Sequence, residues 1–113
     1  MEVQEISKKL EALASPSRLK ILCLLSLRAF CVCELANILN LAQPTLTRHL
    51  QKLEEAGFVK STRYKFYTIY TLDYKDKLNK FLLDTLLPTL KNSSDFKKLE
   101  TLPAIKDNPY NFP

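Results

Sequence analysis

The chain has 113 residues, of which 46% are hydrophobic, so it is long enough for one domain with a modest core. Its formal net charge of +5 favours an anionic partner, whereas its longest apolar stretch, Ile21 to Leu27, is far shorter than the roughly 20 residues of a membrane span. The first nine residues include Glu2 and Glu5 and lack an apolar export signal. We therefore predict a cytoplasmic protein without a membrane partner.

The first half of the chain is predicted to form four helices. Apolar residues at three- and four-residue spacing from Val3 to Leu13 indicate the first helix. A second helix is predicted from Pro16 to about Leu27, with Ser15 as its cap. A third is predicted over about Val32 to Leu39 and a fourth over about Gln43 to Ala56.

A two-stranded hairpin is predicted after Gly57, the only glycine, which suits the left-handed cap of the fourth helix. Residues 58–63 and 66–72 are rich in aromatic and β-branched side chains, so they are typical of strands turning near Tyr64 and Lys65. Asn40 is likewise suited to a left-handed turn between the third and fourth helices. The predicted fold is mainly α-helical with a small β-hairpin.

A last helix is predicted after Asp73, and we expect Pro88 to disturb it. From Asn92 the chain is polar and contains several prolines, so irregular or mobile chain is expected there. We divide the sequence into a domain over residues 1–91 and a C-terminal tail over residues 92–113. The predicted apolar face of the last helix consists of Leu78, Phe81, Leu82, Thr85 and Leu86.

The fourth helix has the faces of a DNA-reading helix. At 100° per residue, Leu46, Leu50 and Leu53 share a narrow arc that faces the core. Short polar and cationic side chains on the other face suit hydrogen bonds to base edges and phosphates. A helix-turn-helix followed by a hairpin lays one helix in the major groove and brings a β-wing to the neighbouring backbone. The outward residues are Thr45, Arg48, Gln51 and Lys52, with Thr47 to one side.

Four segments, in order, resemble the ArsR/SmtB family of winged helix-turn-helix, metal-responsive transcriptional repressors. The resemblance implies a homodimer joined through its first and last helices, which binds an inverted-repeat DNA operator and leaves it when an effector binds. It also implies that Gln43, Thr45, Thr47, Arg48 and His49 lie at the DNA surface. The four segments are Leu13–Leu22, Cys31–Ala36, Gln43–Leu50 and Glu55–Val59.

His49 and the hairpin leave two questions open. His49 flanks the leucine stripe of the fourth helix, so it can either contact DNA or pack against the domain. Arg63 and Lys65 on the hairpin are expected to contact phosphate as wing residues. The family's wing often has a glycine at its tip, and this hairpin has none, which leaves its reach undetermined.

The cysteines suggest what the protein senses. Cys31 and Cys33 resemble the Cys-Val-Cys start of this helix in arsenic-responsive family members, and thiolates select soft ions. Two residues apart on a regular helix, side chains diverge by about 200°, so we expect chelation to distort the helix and misplace the DNA-reading helix. The motif's third cysteine falls at Ala36, which leaves Cys23 as a third ligand or as a small buried hydrophobe.

The predicted effector is As(III) or another thiophilic ion, ahead of zinc or cadmium, and DNA binding requires no cofactor. Zinc ranks lower because a tetrahedral zinc site would need four ligands. Two alternatives stay open: a repressor of the same fold whose thiols are oxidised, and a winged-helix module that binds only protein. With one histidine, no glycine-rich phosphate loop and no paired carboxylates in a pocket motif, the sequence does not predict an enzyme.

Overall fold

The computed structural model describes residues 1–106, so the part of the predicted tail beyond Lys106 lies outside the described residues. No helix among these residues has the length and apolar character needed to cross a membrane. The helices are α1 (Val3–Leu13), α2 (Pro16–Leu25), α3 (Val32–Leu39), α4 (Gln43–Glu55), α5 (Lys77–Lys91), α6 (Ser94–Glu100) and α7 (Pro103–Lys106). The strands are β1 (Phe30–Cys31), β2 (Val59–Tyr64) and β3 (Tyr67–Leu72).

The predicted helix boundaries hold within one or two residues in the first half of the chain. Ser15 caps α2, because its side chain accepts a hydrogen bond from the Arg18 amide at 3.3 Å. Asn40 has a left-handed φ of 55°, as predicted, and turns the chain from α3 into α4. Gly57 has φ +84°, and a Cβ there would lie 2.7 Å from Lys75 Cδ, so both conformation and space require glycine.

The sheet has three antiparallel strands in the order β1-β3-β2. Tyr64 pairs with Tyr67, so the hairpin turn is Lys65-Phe66, one residue later than predicted. The two-residue strand β1 was not predicted, because it is too short for any alternating pattern. Its Cys31 pairs with Ile69 of β3, and this pairing holds the chain extended immediately before α3.

The expectation that Pro88 disturbs the last helix is wrong, because α5 continues through it to Lys91. Leu83 and Leu87, which precede the proline, are buried. Leu90, which follows it, packs on the core. Burial of these leucines stabilises the helix on both sides of Pro88, which offsets the backbone hydrogen bond that proline cannot donate.

The expectation of irregular chain from Asn92 is wrong for α6 and α7. Ser93 caps α6, accepting a hydrogen bond from the Phe96 amide at 3.2 Å. Phe96 and Ile105 are buried in the same core cluster as α2 and α4. The described part of the tail is therefore helical and packed against the domain.

A buried lysine joins three helices that the sequence did not link. Lys9 Nζ on α1 donates to the Ala56 carbonyl at 3.0 Å and to Asn79 Oδ1 at 2.8 Å, and it lies 3.2 Å from Asp76 Oδ2. Asn79 Nδ2 also donates to the Ala56 carbonyl, at 2.8 Å. Because a buried ammonium needs partners of this kind, the cluster fixes the end of α4 against α1 and α5.

The apolar stripe of α1 faces mostly away from the core of its own chain. Of the residues that predicted this helix, only Leu13 is buried, whereas Val3 and Leu10 are 81% and 51% exposed and Ile6 is also exposed. Phe81 on α5 is exposed as well, although Leu83 and Leu87 of the same helix are buried. These two helices therefore leave apolar surface uncovered in a single chain.

Candidate nucleic-acid interface and thiol site

The orientation of α4 is set by its apolar arc. Leu46, Leu50 and Leu53 are completely buried, as predicted. Arg48, Gln51 and Lys52 on the other face are exposed, as is Gln43 at the start of the helix. The helix therefore presents a polar and cationic surface to solvent, which is the chemistry that nucleic-acid grooves require.

The remaining polar residues of α4 are less accessible. Thr45 and Thr47 are half-buried, and Arg48 Nη2 lies 3.5 Å from Thr45 Oγ1. Lys52 Nζ lies 3.7 Å from Glu11 Oε1, but both side chains are more than half exposed. Such an exposed ion pair contributes little to stability, so Lys52 remains available to bind an anion.

His49 joins α4 to the end of α1 through Arg18. Arg18 is buried, and its Nε and Nη2 donate to the carbonyls of Ala12 at 2.7 Å and Glu11 at 3.1 Å. Its Nη1 lies 3.1 Å from His49 Nδ1. Because a guanidinium only donates, His49 Nδ1 accepts this bond and must be unprotonated. The side chain thus packs against the domain, while Nε2 carries the ring hydrogen.

The electrostatics of His49 agree with that geometry. Burial lowers its pKa, and the positive charges of Arg18, Arg48 and Lys52 lower it further. The neutral ring is therefore the form held against Arg18 near pH 7. The sequence offered no signal for this contact, because Arg18 and His49 are 31 residues apart.

The wing carries its two predicted cations in exposed positions. Arg63 lies near the end of β2, and Lys65 follows in the turn with a left-handed φ of 56°. Lys65 Nζ lies 5.5 Å from the centroid of the Tyr64 ring, within cation–π range. Phe66, the second turn residue, is exposed.

The thiols of Cys31 and Cys33 lie together, with their Sγ atoms 2.8 Å apart. The expectation that they diverge by about 200° is wrong, because it assumed that both lie on a regular helix. Cys31 is the N-cap residue of α3, with extended φ and ψ of −87° and 166°, so its side chain can turn towards Cys33. Cys31 is buried and Cys33 is exposed, which leaves the pair accessible from one side.

A polar network holds the start of α3. The Cys31 amide donates to Glu34 Oε1 at 3.2 Å, and Arg28 Nη2 donates to Glu34 Oε2 at 3.0 Å. Arg28 also donates to the carbonyls of Ala104 at 2.8 Å and Ile105 at 3.1 Å, which connects α7 to this site. Glu34 lies three residues after the N-cap, which is the glutamate position of a capping box and a signal visible in the sequence.

The environment keeps the Cys33 thiol protonated. Its pKa is raised mainly by the hydrogen bond with Cys31, and further by burial and by the charges of Cys31 and Glu34. A backbone hydrogen bond at Glu34 lowers it in part. Ion binding by Cys33 must therefore displace its proton, which makes the affinity depend on pH.

Cys23 lies apart from the pair. It is buried in the main core and lines a cavity between α2, α5 and α6, while Cys31 packs in a smaller cluster with Ala29 and Ile69. Burial raises the pKa of Cys23 to about 11, against a smaller opposing effect of Lys91. Across residues 1–106, no three His, Cys, Asp or Glu side chains form a group that could hold a metal ion.

These features together define a class of protein. Helix α4 turns a cationic face outward, α3 precedes it across a short turn, and a two-stranded wing follows it. This is the arrangement of a winged helix-turn-helix DNA-binding regulator, as predicted.

Comparison with known proteins identifies the family. The model of the family described as "Bacterial regulatory protein, arsR family" matches residues 15–61. The arsenical resistance operon repressor of Staphylococcus xylosus is 35% identical over 75 residues, which are 66% of this chain and 72% of that protein. The chain belongs to the ArsR family, and since this is a family of transcriptional regulators, it is not an enzyme.

Solved structures of related regulators have the same fold. HlyU from Vibrio cholerae has 31% sequence identity and a TM-score of 0.66, with 79% of this chain and 97% of that chain covered. The transcriptional repressor BigR from Xylella fastidiosa has 29% identity and a TM-score of 0.62, with 80% of this chain and 91% of that chain covered.

Proposed function

We propose that this protein is a homodimeric repressor that binds an inverted-repeat operator and leaves it when As(III) or another thiophilic ion binds Cys31 and Cys33. The observation that carries the effector proposal is the 2.8 Å separation of the two sulfur atoms at the start of α3. Similarity to the arsenical resistance operon repressor of Staphylococcus xylosus supports the choice of arsenic. The repressor would act in the cytoplasm, and DNA binding itself would need no cofactor.

The DNA interface consists of the outward face of α4 and the wing. Exposed Arg48 and Lys52 supply positive charge, and Gln51 can pair with base edges. His49 would reach DNA only through Nε2, since Nδ1 is bonded to Arg18. The proposed contact residues are Gln43, Thr45, Thr47, Arg48, His49, Gln51 and Lys52 on α4, with Arg63 and Lys65 on the wing.

The dimer is supported by the uncovered apolar surface of α1 and α5. Val3, Ile6 and Leu10 form a stripe that stays partly or largely exposed in the described chain, and Phe81 on α5 is also exposed. A second copy offers the same surface, so a two-fold symmetric pair buries both. Such a dimer presents two α4 helices, which matches the symmetry of an inverted repeat.

The effector is proposed to act through the start of α3. An ion bound by both thiolates replaces the hydrogen bond between Cys31 and Cys33 and changes the cap that Glu34 completes. Because α3 packs against α4, a shift in its first turn moves the DNA-reading helix. Cys23 was the candidate third ligand, and its place in the main core favours instead a third ligand from outside the chain.

The test is binding of the full chain to the DNA upstream of its own gene, measured by fluorescence anisotropy with and without arsenite. We expect arsenite to weaken binding to the unmodified protein and to have no effect on the Cys31→Ser, Cys33→Ser variant. Cys23→Ser is the matched control and should still respond. By linkage, DNA must weaken arsenite binding by the same factor. If arsenite leaves the operator affinity of the unmodified protein unchanged, the effector proposal is wrong.

The same sulfur geometry favours a second candidate, a thiol-redox repressor. Two thiols at 2.8 Å can lose two protons and two electrons to a peroxide and form a sulfur–sulfur bond. Mild peroxide would then release the operator and remove two hydrogens from the mass of the protein. A thiol reductant would restore binding. Release by arsenite under reducing conditions distinguishes ion sensing from this candidate.

A further inference from the structure

Phe66 at the tip of the wing is 91% exposed, more than any other large hydrophobic side chain in residues 1–106. Its ring has almost no contact with its own chain. Exposed apolar surface of this kind is unfavourable in water, and it contributes nothing to the core. Single exposed apolar side chains are common on protein surfaces, so what marks this ring is its place at the tip of the wing, beside two exposed cations.

The turn geometry leaves this ring as the outermost apolar group of the wing. Pairing of Tyr64 with Tyr67 closes the β2–β3 ladder, so Lys65 and Phe66 alone form the turn. The ammonium of Lys65 lies back over the Tyr64 ring, at 5.5 Å from its centroid. The hairpin tip thus combines an exposed aromatic ring with the nearby positive charges of Lys65 and Arg63.

The tip of the wing projects from the core, because Val59 and Tyr70 at the inner end of the strands are buried while the tip residues are exposed. Each strand has six residues, which span roughly 20 Å at about 3.3 Å per residue. Proteins that bind the minor groove insert apolar side chains, phenylalanine among them, between base steps and kink the duplex. Positive charge at the tip draws it towards the phosphates that line this groove.

Resting on the DNA-binding function proposed above, we propose that Phe66 inserts as an apolar wedge into the operator minor groove next to α4. The ring partly unstacks one base step and bends the duplex. Pyrimidine–purine steps such as TA and CA unstack most easily, so the operator is expected to have one beneath the wing. The wing then selects sequence through deformability and makes no hydrogen bond to a base.

The experiment compares the full chain with Phe66→Ala, Phe66→Leu and Lys65→Ala on a fragment from upstream of its gene. End-to-end fluorescence energy transfer reports the bend, and 2-aminopurine placed along the fragment reports unstacking. Phe66→Ala should lose both the bend and the unstacking signal. Its affinity should fall about tenfold, which is the scale of one lost base–aromatic contact. Phe66→Leu should keep most of the bend. Lys65→Ala should also keep the bend, while the slope of log affinity against log salt concentration should fall by about one.

Three results would overturn the wedge. Unchanged bend and affinity in Phe66→Ala, with the unmodified protein bound, would refute it and leave the proposed DNA binding intact. A change of oligomeric state in Phe66→Ala, measured by sedimentation, would assign the ring to a contact between copies. Failure of the unmodified protein to bind any duplex would refute the DNA-binding proposal itself. Melting temperatures of the two Phe66 variants should match the unmodified protein, because the ring is exposed.

Discussion

His49 on α4 stabilises the packing of the domain through one of its ring nitrogens. Its Nδ1 accepts a hydrogen bond from Arg18, whose other donors hold the last carbonyls of α1. The two contacts fix the rotation of α4 relative to α1. Substitution of His49 by alanine leaves a buried guanidinium short of one acceptor, which costs about 1–3 kcal/mol.

The Arg18–His49 hydrogen bond should make stability depend on pH. Burial and nearby cations lower the pKa of His49 below its ordinary 6.5, so the folded state favours the neutral ring. The stabilisation is complete above the unfolded pKa and is lost as pH falls through the folded pKa. The melting temperature of the unmodified protein should therefore fall between about pH 7.5 and pH 5.5 more than that of His49→Asn, whose amide oxygen can accept from Arg18 without titrating. Parallel pH profiles would show that His49 does not carry this dependence.

At the scale of elements, the start of α3 is held by groups from three parts of the chain. Glu34 caps it, Arg28 binds Glu34, and the same guanidinium binds two carbonyls of α7 and stacks on the Phe30 ring at 3.8 Å. Helix α7 thereby supports the segment that carries the thiol pair. This connection gives the described part of the tail a structural role.

Arg28→Ala should destabilise the fold by about 3 kcal/mol, because it breaks a mostly buried ion pair and leaves two α7 carbonyls without their donor. Arg28→Lys should recover little of this, since an ammonium cannot reproduce the fork of donors. Urea unfolding measures both. The matched control is Lys80→Ala, whose partner Asp84 is also exposed and whose loss should leave the midpoint unchanged. Equal midpoints for Arg28→Ala and the unmodified protein would contradict the structural role.

At the scale of the molecule, the uncovered stripe of α1 makes dimerisation the central expectation. Leu10→Glu places a charge in this stripe without touching the core, because Leu10 is half exposed. The variant should fold but sediment as a monomer, and its operator affinity should fall at least about tenfold, since the two half-sites are no longer bound together. Leu27→Glu, a similarly exposed leucine outside the stripe, is the control. A Leu10→Glu protein that remains dimeric would locate the interface elsewhere.

The local patterns of the sequence determined α1 to α4, the caps at Ser15, Asn40 and Gly57, and the outward face of α4. Each of these depends on residues within about four positions of one another, where periodicity and capping act. The family resemblance, carried by motifs in order, was confirmed, and the family model matches residues 15–61.

The thiol pair, the long-range polar contacts and the course of the C-terminal helices depend on the tertiary structure. Pairing of β1 with β3 keeps Cys31 out of the helix and brings the two sulfur atoms together, which no spacing rule along a regular helix could show. Lys9 meets Asn79 across 70 residues, and Arg18 meets His49 across 31. Burial of Leu83 and Leu87 on the core carries α5 through Pro88, and burial of Phe96 packs the Ser93-capped α6 against the domain. Contacts between distant residues depend on how the elements pack, and that information is absent from any short window of sequence.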